Sequence, residues 1–195
     1  SLATRGALGG LAKAVGDAIH VMDVLGKDIV IVETVGTGQQ EVDIINHSHT
    51  VLVVLVPGMG DEIQAIKAGI LEIADIFVVN KADREGSSKL SRELMAMLDM
   101  APPSSFQGGW RPPIMKVESA FEPTGFNKAL EDIANKIEEH HQHLVQKDMI
   151  GSRMRRKAAV ELNEAIRACI LEPVLQKLIG SGEMEGMIDR VMKKE

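Results

Sequence analysis

The sequence predicts an α/β fold in which a parallel sheet is covered by helices on both faces and is followed by a helical C-terminal arm (residues 151–195). Short apolar runs alternate with amphipathic segments up to about residue 147, and the runs are apolar at successive positions, as in buried parallel strands. Beyond Gly151 only helical spacing continues, which predicts the arm. We therefore assign residues 1–150 to a sheet domain and 151–195 to the arm.

Four apolar runs bounded by polar residues predict the strands of this sheet, at 28–33, 50–56, 75–80 and 114–118. Apolar residues that recur every three or four positions predict helices over 8–25, 61–74, 87–100 and 125–146. Gly26 ends the first helix, and Ser87 or Ser88 is placed to cap the third. Four prolines and two glycines predict a loop over 101–113. Helices over 154–179 and 184–192 are predicted in the arm.

Composition narrows the class of protein. A chain of 195 residues with 45% hydrophobic residues can bury a core. The net charge of −6 argues against nucleic acid as the main partner. A single cysteine, Cys169, excludes an internal disulfide framework and suits a reducing compartment. No apolar run is long enough for a membrane helix and no signal peptide is visible, so we expect no membrane partner and a cytoplasmic location.

The tetrapeptide Asn80-Lys81-Ala82-Asp83 follows a predicted buried strand and has the chemistry of guanine recognition. The Asp83 carboxylate can accept hydrogen bonds from guanine N1–H and the exocyclic N2 amine. Adenine offers no such pair, and this kind of polar mismatch discriminates by roughly 10⁴ or more. Asn80 would brace the loop, and Lys81 would lay its alkyl stem over the base. The alternative is an ordinary strand-to-helix turn, in which Asn and Asp are common.

The sequence contains no Gly-x-x-x-x-Gly-Lys-Ser/Thr loop, the motif that usually holds the phosphates of a guanine nucleotide. The glycine-rich stretch from Gly9 to Ala14 lacks its spacing and its Ser/Thr. The chain also begins at Ser1 without a methionine. We therefore expect it to be the C-terminal part of a longer protein whose phosphate-binding half, with its N-terminal strands, lies outside these residues.

A second loop with nucleotide chemistry follows the predicted strand 28–33. Glu33 could hold magnesium through water, and a backbone N–H at Gly36 could meet a γ-phosphate. Gln39 and Gln40 lie in the same glycine-containing loop, which could reorder when that phosphate leaves. Taken alone, an acid followed by a glycine three residues later is equally typical of a plain turn.

Several longer strings are shared with one group of proteins. These are Glu-Thr-Val-Gly-x-Gly-Gln from Glu33, Val-Pro-Gly-Met-Gly-Asp-Glu from Val56, Asn-Lys-Ala-Asp from Asn80 and Trp-x-Pro-Pro from Trp110. In these strings the chain resembles the MeaB/ArgK family of P-loop GTPases, and the resemblance covers nearly its whole length. It implies a P-loop NTPase-like parallel sheet flanked by helices, of which residues 1–150 would be the C-terminal part.

The resemblance also implies a function. A member of this family binds GTP or GDP with Mg²⁺, hydrolyses GTP and acts as a chaperone for adenosylcobalamin-dependent methylmalonyl-CoA mutase, gating cofactor delivery and protecting the mutase. It implies a homodimer built through C-terminal helices. By position, Glu33 and Gly36 belong to the magnesium and γ-phosphate loop, with Gln39 and Gln40 in the switch. Asn80, Lys81 and Asp83 recognise guanine, and the backbone of Ser119 and Ala120 meets its O6.

The residues leave two other classes open, a non-catalytic dimerisation and partner-binding module, and a transport-associated ATPase or kinase of the ArgK type. Asn80 and Asp83 argue against the ATP version. Because the phosphate loop is missing, we expect the 195 residues alone to be inactive.

Two further groups of residues are predicted to be solvated. His140, His141 and His143 lie on the predicted helix 125–146 with no carboxylate or cysteine spaced to complete a metal site, which favours an exposed helix face. The basic run of Arg153, Arg155, Arg156 and Lys157 similarly favours an exposed helix start.

Overall fold

The computed structural model describes residues 10–34, 48–58, 73–118 and 123–193. The chain divides into two compact units. One is the continuous segment 47–153, and the other combines the described part of residues 1–46 with the helices after Arg153. The predicted helix over 61–74 falls almost entirely outside the described residues.

Three parallel strands form the sheet of the 47–153 unit. They are β1 (Leu52–Leu55), β2 (Ile76–Asn80) and β3 (Ile114–Val117), and β2 lies between the other two. Leu52 is in register with Ile76, and Phe77 is in register with Ile114. The predicted strands at 50–56, 75–80 and 114–118 are thereby confirmed, with slightly shorter bounds. Parallel pairing brings the carboxyl ends of all three strands to one edge of the sheet.

Two helices cover the two faces of this sheet, α2 (Ser87–Met100) and α3 (Pro123–Gln146). Phe77 and Val79 of β2 pack in one core cluster with leucines of α2, namely Leu90, Leu94 and Leu98. Ile76 and Val78 pack in a second cluster with Ile133 of α3. Alternate residues of β2 therefore face different helices, as expected for a central strand. This arrangement confirms the predicted α/β class.

The N-cap residue of α2 is not one of the two serines that were predicted. Gly86 is the N-cap, with φ 91°, and neither serine makes a side-chain cap hydrogen bond. A positive φ is readily adopted by glycine, so the chain can turn sharply from the loop after β2 into the helix. Ser87 is instead buried in the first turn of α2, where its carbonyl accepts a hydrogen bond from the Ser91 hydroxyl at 3.0 Å.

The other unit contains α1 (Gly10–Val24), which confirms the predicted first helix. Its end is closed by two backbone hydrogen bonds, from Gly26 N–H to Asp23 O and from Lys27 N–H to Met22 O. Together with φ 72° at Gly26, these bonds form a Schellman motif. The predicted end of the helix at Gly26 is therefore correct.

The strand predicted over 28–33 is wrong. Residues 27–34 form no strand, and Ile29 and Ile31 are 81% and 89% exposed. An apolar run becomes a parallel strand only when neighbouring strands supply hydrogen bonds and helices cover both faces. No strand among the described residues pairs with this segment. Local composition alone therefore overestimated its tendency to join a sheet.

Between residues 149 and 193, the last part of the chain that the structure describes, the regular elements are helices, as predicted for the arm. They are α4 (Met149–Ile166), α5 (Glu172–Ser181) and α6 (Glu183–Lys193), with a π-helical segment, Arg167–Leu171, between α4 and α5. Pro173 accounts for this segment because it has no N–H to donate to the carbonyl four residues earlier. Gly182, with φ 77°, ends α5. Among the described helices, none combines the length and apolarity needed to cross a membrane.

Candidate functional site

The loop that follows β2 carries the predicted base-recognition residues. Asn80 is the last residue of the strand, and its Oδ1 accepts a hydrogen bond from the Lys81 N–H at 2.8 Å. Lys81 has φ 55°, a left-handed conformation that is uncommon outside glycine. The Asn80 side chain therefore holds the backbone of the loop in a strained turn, which is a common feature of ligand-binding loops.

A second hydrogen bond fixes this loop to the neighbouring strand. The Ala82 N–H donates to the carbonyl of Val117, the last residue of β3, at 2.9 Å. Asn80 and Val117 are also register partners across the β2–β3 pair. The loop after β2 and the start of the loop after β3 are thus held side by side at the carboxyl edge of the sheet. In parallel α/β sheets this edge is where ligands bind.

Asp83 lies at the outer part of this loop, and its side chain is exposed. The turn continues through a hydrogen bond from the Arg84 N–H to the Lys81 carbonyl at 3.0 Å. A carboxylate in this position can accept two parallel hydrogen bonds from a planar ligand that offers adjacent donors. The geometry therefore places three of the predicted residues, Asn80, Lys81 and Asp83, in one loop at a ligand-binding edge.

The remaining predicted site residues are not brought to this loop by the described structure. Gly36, Gln39, Gln40, Ser119 and Ala120 lie outside the described residues. Glu33 is described and exposed, in the segment after α1, and it belongs to the other compact unit. In the part of the chain that the structure covers, no group of three or more His, Cys, Asp or Glu side chains is arranged to hold a metal ion.

The opposite end of β2 carries a polar cluster that the sequence analysis missed. We call it the Asp75 cluster, and it consists of Thr50, Asp75, Trp110, His140 and Arg153. The Asp75 carboxylate accepts a hydrogen bond from the Val51 N–H at 2.9 Å. Arg153 donates to both carboxylate oxygens, at 3.0 and 3.3 Å, and His140 Nε2 lies 3.2 Å from one of them.

The same residues make further bonds that connect the cluster to its surroundings. His140 Nδ1 shares a hydrogen bond with the Thr50 hydroxyl at 2.9 Å. Arg153 also donates to the carbonyl of His49 and to the side-chain oxygen of Gln107. The Trp110 indole N–H donates to the backbone carbonyl of Asp75 at 2.8 Å. The cluster therefore connects the starts of β1 and β2 to the loop 101–113, to α3 and to the N-terminal part of α4.

An aromatic contact completes the cluster. The Trp110 ring packs against His140 with a centroid distance of 4.9 Å and against His143 at 5.3 Å. Two residues before Trp110, Gly108 has φ 61°, and a Cβ there would clash with Met149 Sδ and lie 3.2 Å from His143 Nε2. Glycine is required here both for its backbone conformation and for the close approach of the loop to α3.

The pKa of Asp75 lies below its ordinary value for an identifiable reason. Burial alone would raise the pKa by disfavouring the charged form. Hydrogen bonds from His140 and Arg153, and the positive charges of both, outweigh this effect and lower the pKa. The Asp75 side chain is 9% exposed and that of Arg153 is 14% exposed. Forming such a buried pair requires both groups to be desolvated. Removing one partner alone leaves the other charge unpaired and destabilises the fold by about 3–5 kcal/mol.

The two predictions of solvated residues are therefore wrong in part. His141, Arg155 and Arg156 are exposed as predicted, but His140 is only 1% exposed and Arg153 is bound to Asp75. A signal was present for His140, since it continues the buried stripe of α3 at helical spacing, with Ile133 before it and Leu144 after it. No local signal could have paired Arg153 with a carboxylate 78 residues away.

Comparison with known protein families identifies a match over most of the chain. Residues 1–179 match the family described as methylmalonyl Co-A mutase-associated GTPase MeaB. The “Putative GTPase” of Pyrococcus abyssi is 43% identical over 195 residues, which are 100% of this chain and 58% of that protein. The mitochondrial methylmalonic aciduria type A homolog of Caenorhabditis elegans is 35% identical over 117 residues, which are 58% of this chain and 29% of that protein.

Comparison with solved structures supports the fold. A crystal structure of a protein titled LAO/AO transport system kinase superposes with a TM-score of 0.68 and 22% sequence identity, covering 95% of this chain and 58% of that chain. The likeness confirms the predicted P-loop NTPase-like fold class. The chain spans about 58% of the length of the Pyrococcus relative and of this structure.

We expect the Asp75→Asn variant to be less stable at neutral pH, with a difference from the unmodified chain that shrinks in acid. The Asp75 carboxyl group is protonated near pH 4 in the unfolded chain. In the folded chain its pKa is lower, so it is protonated only at a lower pH. The contribution of Asp75 is therefore complete above about pH 5 and is lost as the pH falls through its folded pKa. Urea unfolding at pH 7 to 3, followed by the fluorescence of Trp110, the single tryptophan, measures this difference.

The control for this experiment is Asp99→Asn, which removes an exposed carboxylate paired with Arg111 at 2.5 Å. This change is expected to alter stability by less than about 1 kcal/mol. If Asp75→Asn and Asp99→Asn had the same small effect at every pH, the Asp75 cluster would contribute nothing specific to the folded state.

Proposed function

Because the chain belongs to the methylmalonyl-CoA mutase-associated GTPase family MeaB, we propose that the complete gene product binds and hydrolyses GTP and acts as a chaperone for an adenosylcobalamin-dependent methylmalonyl-CoA mutase. In this role it would gate delivery of the cofactor and protect the mutase. The proposal concerns the complete protein, since the chain spans 58% of its Pyrococcus relative. We place it in the cytoplasm, or in the mitochondrial matrix in a eukaryote.

The observation that carries this proposal is the loop after β2. Asn80 braces the loop through its bond to the Lys81 N–H, and Ala82 ties it to β3. We assign Asp83 the role of accepting hydrogen bonds from guanine N1–H and N2. The alkyl part of Lys81 then covers one face of the base, and the backbone of Ser119 and Ala120 meets guanine O6 from the loop after β3.

We assign the hydrolytic part of the site to the segment after α1. Glu33 would help to hold Mg²⁺ through water, since a carboxylate oxygen is the kind of ligand that this ion prefers, and the ion would supply positive charge near the phosphates. The backbone of Gly36 meets the γ-phosphate, and Gln39 and Gln40 lie in the segment that changes conformation. The 195 residues contain no Gly-x-x-x-x-Gly-Lys-Ser/Thr loop, so we propose that they do not hydrolyse GTP by themselves.

We also propose that the protein is a homodimer formed through its C-terminal helices. Apolar side chains along α4, the π-helical segment and α5 recur at three- and four-residue intervals. Several of them are about half exposed or more, including Ile166, Ile170 and Val174. Exposed apolar side chains in a continuous stripe are typical of an interface, and the stripe of a second copy would cover them.

For the base-recognition loop, we expect Asp83→Asn in the complete gene product to lower GTP affinity by about 100-fold or more and to shift preference toward XTP. The amide cannot accept both guanine hydrogen bonds, but its N–H can donate to the C2 carbonyl of xanthine. Competition binding with GTP, XTP and ATP measures both effects.

The matched control for this variant is Asp132→Asn, which changes an exposed acid on α3 and should leave all three affinities unchanged. If the Asp83→Asn protein kept the GTP preference of the parent, the assignment of Asp83 to the base site would be wrong. A parent protein that prefers ATP would instead support the transport ATPase or kinase class.

For the dimer, we expect Val174→Glu to convert the complete gene product from a dimer into a monomer. Val174 is 51% exposed in the single chain, so a carboxylate at this position is tolerated in the monomer. In a dimer, the apolar interface would bury this carboxylate without a partner, which is unfavourable. Light scattering coupled to size exclusion measures the mass. Gln176→Glu is the control, because it adds the same charge on the far side of α5. A Val174→Glu protein that stays dimeric would place the interface elsewhere.

A further inference from the structure

β2 has a polar group with a distinct role at each end. Asp75 precedes its first residue and anchors the Asp75 cluster, whereas Asn80 ends it and begins the base-recognition loop. Five residues of strand separate the two ends by about 16 Å, at roughly 3.3 Å per residue. The position of Asp83 therefore depends on how β2 is held at its far end.

The strand between these ends is packed tightly enough to transmit a displacement. Ile76, Phe77 and Val79 are fully buried, and Val78 is 5% exposed. Its two faces pack against α2 and α3, so the strand has little room to bend and shifts as a unit. Backbone hydrogen bonds to β1 and β3 fix its lateral neighbours, and the loop after β2 moves with it.

The anchor at the start of β2 is made by side chains from distant parts of the unit. Asp75 receives hydrogen bonds from Arg153 in α4 and from His140 in α3, and its carbonyl receives one from Trp110. The guanidinium of Arg153 also donates a hydrogen bond to the side-chain oxygen of Gln107. If the carboxylate becomes an amide, one of its two oxygens is replaced by a donor, so the cluster loses at least one of the hydrogen bonds from Arg153 and the Val51 N–H, and the charge that pairs with Arg153 is lost as well. The first residues of β2 are then expected to shift so that these groups reach water.

We propose that Asp75 and Arg153 are positioning residues for guanine recognition, which they serve by fixing the start of β2 and thereby the position of Asp83. The inference rests on the proposed function, because it requires that Asp83 binds guanine. Neither residue touches the base. Each acts through β2, which leads to the loop that carries Asp83. The base selectivity of the protein is then set in part at the edge of the sheet opposite to the nucleotide.

The affinities for GTP and ITP are compared. ITP differs from GTP only in lacking the N2 amine, from which Asp83 would accept a hydrogen bond. The ratio of the two affinities reports this one hydrogen bond. Partial unfolding lowers both apparent affinities by the same factor and cancels in the ratio, so a residue that merely stabilises the fold leaves the ratio unchanged. The complete gene product and its variants are titrated with both nucleotides, and circular dichroism checks that each variant is folded.

We expect the parent protein to prefer GTP over ITP by about tenfold or more, as one hydrogen bond to a charged group implies. Asp75→Asn and Arg153→Met are expected to bring the ratio close to one. Arg153→Lys keeps a cation beside Asp75 but loses the two-pronged contact, so its ratio is expected to fall between those of the parent and Arg153→Met. Lys136→Gln, which breaks an exposed pair with Glu139 on α3, is the control and should keep the parent ratio.

The outcomes separate this inference from the proposed function. A parent that binds GTP no better than ITP and ATP would overturn the assignment of Asp83 to guanine, and the positioning role with it. A parent that discriminates, with folded Asp75→Asn or Arg153 variants that keep its ratio, would overturn the positioning role alone. If Asp75→Asn does not fold, the Arg153→Lys ratio decides the question in the same way.

Discussion

The carboxylate of Asp75 is the interaction on which the 47–153 unit depends most. It accepts hydrogen bonds from the start of β1, from α3 and from the N-terminal part of α4, and the carbonyl of the same residue accepts one from Trp110. A buried charge of this kind is costly to desolvate, so it is retained only where the surrounding donors satisfy it. Here hydrogen bonds and neighbouring positive charges do so, and the lowered pKa of Asp75 expresses that balance. One side chain thereby fixes where several elements begin.

The two edges of the sheet are built differently. The amino ends of β1 and β2 are held by the Asp75 cluster, whereas the carboxyl end of β2 leads into the loop proposed to recognise the base, in which Ala82 packs against the core and Asp83 is exposed. Asn80 and Ala82 use local hydrogen bonds to shape that loop, and the Asp83 carboxylate is left at the surface. Parallel sheets with helices on both faces bind ligands at this edge because the loops there can vary without disturbing the strands.

The parts of the fold that could be predicted from the sequence are those governed by local periodicity. The strands before Asn80 and before Glu118, the helix over 87–100 and the end of α1 at Gly26 all follow from apolar spacing or from a glycine signal. The failures depend on partners distant in the chain. The run 28–33 has strand composition but no paired neighbour among the described strands, and Arg153 is bound by a carboxylate that no local pattern reveals. The tetrapeptide from Asn80 to Asp83 could be proposed for base recognition because its chemistry is local, whereas the residues that hold the start of β2 come from distant parts of the chain.

We propose that the loop after β2 binds guanine through Asp83, at the edge of the sheet opposite to the Asp75 cluster. A crystal structure of the complete gene product with GDP is the decisive measurement. Both carboxylate oxygens of Asp83 are expected to lie about 2.7–3.0 Å from guanine N1 and N2, with the Lys81 stem against the base. A guanine bound elsewhere, or an Asp83 carboxylate that makes no contact with the base, would contradict it.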